Sequence, residues 1–114
     1  MSNCAKSINW AGGTHVFDLN SPRVAWMLGK SPFPGQFGDT PAACLRRFGE
    51  EAWSTADVER IFEIGLIGGG LGRNEAASLV ATHVRGQPIA ANALIAYGVL
   101  ANLFTGANHD DASA

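Results

Sequence analysis

The chain has 114 residues, 46% of them hydrophobic and only 16% charged, with eight Lys or Arg against ten Asp or Glu and a net charge of −2. That length suits one domain with a modest core, and the scattered basic residues, of which only Arg46 and Arg47 adjoin, give no electrostatic footprint for nucleic acid. A charged fraction below the ~25% usual for soluble domains means a weakly charged surface, or one partly covered by another protein.

Cys4 and Cys44 are too few for a disulfide framework and form no CxxC pair. Both read as free thiols in a reducing compartment, Cys44 on a helix and in the core. The N-terminus carries no apolar run of signal-peptide length, so a cytoplasmic protein is expected.

Residues 7–20 read as a β-hairpin: Ile8 and Trp10 alternate with polar neighbours, Ala11-Gly12-Gly13-Thr14 supplies the turn, and Val16-Phe17-Asp18-Leu19 resumes. Ser21-Pro22 starts a short helix, a cap followed by a first-turn proline, that ends near Gly29. The prolines of Ser31–Asp39 forbid regular helix, and Phe33 and Phe37 are expected to fold back onto the core. Thr40-Pro41 opens a second helix through Leu45 and Phe48. Ser54-Thr55-Ala56-Asp57 is a variant capping box. Behind it, Val58, Ile61, Phe62, Gly65 and Leu66 fall at the spacing of one buried helical face.

The run Gly65-Leu66-Ile67-Gly68-Gly69-Gly70-Leu71-Gly72 is helix-breaking, since each glycine costs roughly 1 kcal/mol relative to Ala in a helix. Its retained apolar residues imply a packed or partner-covered corner with close backbone approach. Asn74 is the expected cap of a fourth helix, with Ala76, Ala77, Val80 and Val84 on one face and an end at Gly86. Pro88 opens a last helix to about Phe104. It is apolar all round, so it is either central in the fold or covered by something else; central burial is the preferred reading. The expected architecture is mainly α (α+β): a short N-terminal β-hairpin packed on a bundle of about five helices. One domain spans 1–114, with the hairpin at 7–20, a helical region at 22–104 and a flexible tail at 105–114.

Chemistry is sparse. No Gly-Lys-Ser/Thr follows the glycine run, and a helix instead of a strand precedes it, which argues against a P-loop or a dinucleotide fingerprint. His15, His83 and His109 have no ligand partners at metal-binding spacing, and no Ser sits in GxSxG. The chain reads as a non-enzyme, with no catalytic residue, cofactor or metal, and too short an apolar run for a membrane span.

From about Trp10 to Gly106 the sequence resembles the phage tail assembly chaperone family of gene transfer agents and long-tailed phages, some of whose members are labelled tail tube or minor tail proteins. The likeness rests on the glycine-turn hairpin before Val16-Phe17-Asp18-Leu19, on Leu45, Arg47-Phe48-Gly49 and Trp53, and on Asp57-Val58. It continues through the Gly65–Gly70 run, Glu75-Ala76, Leu79-Val80, Pro88 and the Ala/Leu-rich last helix. The stretch Trp26-Met27-Leu28-Gly29-Lys30 departs from the plainer helix of such proteins. The resemblance implies a cytoplasmic chaperone that binds the tape-measure protein before tail tube polymerisation, with tail tube subunits as a second candidate partner. The alternative is a structural tail component retained in the particle. Ile67, Leu71, Ile95, Val99 and Leu103, apolar residues left over once the core stripes are assigned, are the expected partner-binding face.

Overall fold

Two short strands and five helices make up residues 3–107, the part of the chain that this computed structural model describes. Strands β1 (Lys6–Trp10) and β2 (Gly13–Phe17) pair antiparallel, from Lys6 opposite Phe17 to Trp10 opposite Gly13. The turn is tighter than expected: only Ala11 and Gly12 connect the strands, and Gly13 and Thr14 are already paired. A lone two-stranded hairpin is marginal in water. This one is held by its rings, since Trp10 and Phe17 meet edge to face at 6.0 Å and both pack on Phe62. The indole Nε1 of Trp10 donates to His15 Nδ1 at 2.9 Å, which satisfies its polar end inside an apolar cluster.

Both proline-led helices start as expected. Ser21 Oγ accepts from the Arg23 amide ahead of α1 (Pro22–Leu28), and Thr40 Oγ1 accepts from the Ala43 amide ahead of α2 (Pro41–Gly49). Helix α3 (Thr55–Gly68) opens with a reciprocal capping box: Ser54 Oγ accepts from the Asp57 amide, and Asp57 Oδ2 from the Ser54 amide. Its predicted face is buried at every position, Val58, Ile61, Phe62, Gly65 and Leu66.

The glycine run does more than turn the chain. Gly65 and Gly68 are helical, and the bend to the next helix occupies only Gly69–Gly72, with a positive φ at Gly70. The hairpin lies directly on this part of α3, where the Asp18 amide donates to the Gly65 carbonyl at 3.0 Å. A Cβ on Gly68 would land on the Asp18 carbonyl oxygen, and one on Gly69 on the Val16 carbonyl oxygen. Hairpin packing thus offsets the helix penalty of glycine. Arg23 closes the corner, its Nε donating to the Ile67 carbonyl and its Nη2 to the Leu71 carbonyl. A cation at a helix C-terminus satisfies orphan carbonyls and complements the dipole.

Helix α4 (Arg73–His83) begins two residues earlier than expected. Gly72, whose carbonyl accepts from the Ala76 amide, holds the cap position, and Asn74 lies inside the helix. Ala76, Val80 and Val84 are buried, but Ala77 faces outward. Asn92 Nδ2 donates to the His83 carbonyl, pinning α5 (Ala90–Thr105) to the end of α4. The central helix is α3, which contacts α1, α4, α5 and β2. Central burial was expected of the last helix instead, and α5 is covered on one side only. Of the expected tail, residues 108–114, with His109, lie outside the described residues.

Candidate docking surface

The polar centre of the fold positions the surface of interest. Arg47 and Asp57 are both buried and form a bidentate pair, Nη2 to Oδ1 at 2.7 Å and Nε to Oδ2 at 2.9 Å. The other guanidinium hydrogens go to the carbonyls of Phe33, Gln36 and Gly38. All five donors of the fork are used. One side chain therefore ties α2 to the capped start of α3 and holds the proline-rich loop, in which Ser31 and Phe37 have positive φ. Burial raises the energy of the Asp57 carboxylate, yet bonds from Arg47 and Ser54 outweigh it and hold the carboxyl below its usual range. The hydrogen bond to Asp57, against the cost of burial, raises the Arg47 guanidinium further. Cys44, one turn earlier, has its thiol pushed up to about 12 by burial and then by the nearby Asp57 charge, so it is an inert core residue. Within the loop, Phe33 is buried as expected. Phe37 is not: it stays exposed beneath the Arg46 guanidinium, 3.8 Å from the ring centre.

With α2 fixed in this way, Phe48 stacks between two rings, Trp53 at 5.8 Å and Tyr97 at 5.4 Å, with interplanar angles of 13° and 12°. These rings, with Glu51, Ala90, Ala93 and Leu94, line a groove of about 410 Å³ between α2 and α5. Beside it Leu94 is 74% exposed, Tyr97 39% and Phe104 47%. The open side of α5 is therefore apolar.

The five residues expected to face a partner do not share a surface. Val99 is 3% exposed and packs toward Gly65 and Phe17, and Ile67 is 6% exposed within α3. Both belong to the core, so a charge at Val99 would attack the fold before it reached any interface. Leu71, Ile95 and Leu103 are half-buried against the core. The open side of α5 instead carries Leu94, Tyr97 and Phe104, none of them among those five. A helix apolar on every side carries no periodic signal for which side faces inward.

Among the described residues, no group of three or more His, Cys, Asp or Glu could hold a metal ion, and no helix is long and apolar enough to cross a membrane. His15 and His83 both pack on Trp10. No curated protein and no solved structure matches the chain. One family profile does, described as phage tail tube protein, GTA-gp10, and it matches residues 4–106. That span takes in the hairpin, the Arg47–Asp57 centre, the glycine corner and the whole of α5, and the chain belongs to this family of phage and gene transfer agent tail proteins.

Proposed function

We propose that this tail protein is a non-enzymatic assembly chaperone, which binds the tape-measure protein in the host cytoplasm before the tail tube polymerises. The observation that carries this reading is the uncovered apolar side of α5, on a small fold whose charge is too sparse to shield it. The largest apolar patch on a soluble monomer, typically a few hundred Å², is often functional. A tape measure is long and helical, and before the tube encloses it, its own apolar surface needs a reversible cover.

The second reading is a structural subunit, tail tube or minor tail protein, retained in the particle; the family description favours it. Against it stands the architecture: the described residues hold a single two-stranded sheet, whereas a tube wall is usually built from β-rich rings. Co-expression with the longest helical reading frame encoded nearby tests the first reading. A chaperone renders that partner soluble and co-purifies with it, and mass spectrometry of finished particles finds almost none of this chain. Equal precipitation with and without it, together with stoichiometric amounts in the particle, would favour the structural role.

A further inference from the structure

Helix α5 contains no charged residue, and the spacing of its open side is regular. Ala90, Leu94, Tyr97, Ala101 and Phe104 follow at alternating steps of four and three residues. That is the seven-residue repeat by which one helix presents a seam to another. Depressions flank the seam on both sides, and Leu94 lines both. One is the aromatic groove toward α2; the other, about 340 Å³, lies toward β1 and is edged by Ile8, Ile95 and Gly98.

Gly98 adds an independent observation. It sits in the middle of a helix, where glycine costs roughly 1 kcal/mol relative to Ala. A Cβ there would meet no atom within 4 Å. Unlike Gly68 and Gly69, it is demanded by nothing inside the chain. It is exposed on the β1 flank of the seam, so bare backbone borders the seam there.

The size of the patch decides what lies there. An aromatic side chain presents on the order of 150–250 Å², so the exposed parts of Leu94, Tyr97, Phe104 and their small neighbours come to roughly 300–400 Å². A stable dimer needs about 800 Å² from each partner, so a second copy of this chain is not the occupant. A single helix laid along the seam engages it through anchors at positions i, i+3 or i+4, and i+7. Charge fixes its orientation: Glu51 is the one charged residue lining the α2 side, and Lys6 the one lining the β1 side.

We propose that the α5 seam receives one amphipathic helix of another protein, coiled-coil fashion, with a basic residue on its flank facing Glu51 and an acidic residue on the flank facing Lys6. The proposal rests on the chaperone reading only for the source of that helix, the tape measure.

The test uses the full chain and a dye-labelled synthetic peptide of about three heptads, Leu at both seam positions, Lys along one flank and Glu along the other. Fluorescence anisotropy should show saturable binding. Leu94→Asp should weaken it at least tenfold with circular dichroism unchanged. Gly98→Gln should weaken it as much while raising the thermal midpoint, opposite signs that a purely structural role cannot produce. Glu51→Lys should disfavour this peptide and favour one with Glu facing position 51. No saturation by about 1 mM, the weak end of measurable association, overturns the proposal, as does unchanged affinity in Leu94→Asp and Gly98→Gln. If those variants still solubilise the co-expressed partner, the chaperone reading stands and the seam falls. If the peptide binds but the parent solubilises nothing, the seam stands and the chaperone reading falls.

Discussion

Arg47 and Asp57 stand ten residues apart, on different helices, and each serves two masters. Asp57 caps α3 and neutralises Arg47; Arg47 answers that charge and holds three loop carbonyls. Breaking a buried pair by removing one partner costs about 3–5 kcal/mol, because the remaining charge stays buried. Against a typical total stability of 5–15 kcal/mol, that is a large share. Asp57→Asn should therefore lower the urea midpoint severely at about pH 7 while leaving the Ser54 cap contact largely replaceable. The pH dependence has a definite sign. The folded carboxyl titrates below its unfolded value of about 3.9. Its contribution is thus complete above that value and is lost as pH falls through the lower folded pKa. Stability of the parent measured from about pH 7 down to about pH 3 should drop in the acid limb, and the Asn variant should show a shallower drop. Equal acid slopes in the two proteins would mean that other carboxylates govern acid unfolding. The sequence held both halves of this pair in view, Asp57 as a cap and Arg47 beside Phe48, but not their meeting. The available signal was an irregular loop rich in Pro and Gly, whose carbonyls need a donor from elsewhere.

At the scale of elements, legibility follows how local the determining physics is. The hairpin and the starts of α1, α2 and α3 are encoded within a few residues, by turn glycines, cap hydroxyls and first-turn prolines, and they stand where expected. The buried face of α3 is equally local, since polar Arg60 and half-buried Glu59 and Glu63 mark the other side. The glycine corner was read correctly as a place of close approach, but what approaches is the hairpin, some fifty residues earlier in the chain. Helix propensity disfavours every glycine of the run, yet tertiary packing carries α3 to Gly68. Gly68→Ala separates the two effects. Helix propensity alone would stabilise the protein by up to about 1 kcal/mol, but the new methyl meets the Asp18 carbonyl. Backbone cannot step aside as a flexible side chain can, so a net loss of at least about 1–3 kcal/mol is expected. Thermal unfolding should show a lowered midpoint, and near-ultraviolet circular dichroism a weakened Trp10 signal as the hairpin lifts. A raised midpoint would mean that the hairpin moves freely on α3 and that the glycine is there only for the turn.

The whole molecule is asymmetric: a core centred on α3, with one apolar side of α5 left open at the rim. Every side of α5 is largely apolar in the sequence, and only the packing of α2 and α3 against it decides which side stays out. A seam of roughly 300–400 Å² supports association well short of the tight complexes made by standard interfaces. Under the chaperone reading proposed above, weak single-site binding suits a protein displaced as tube subunits arrive. Occupancy then has to come from repetition, many copies side by side on one long helix, and not from affinity. The stoichiometry of the complex should accordingly scale with the length of the tape-measure fragment offered. Fragments of increasing length, co-expressed with this chain and examined by native mass spectrometry, should carry a copy number that rises with the number of exposed heptad seams. Off-rates measured on the shortest fragment should be fast. A fixed one-to-one complex at every fragment length, with slow dissociation, would point to a single dedicated binding site and would remove the coating mechanism. The α5 seam would then have to act as part of a larger, composite interface.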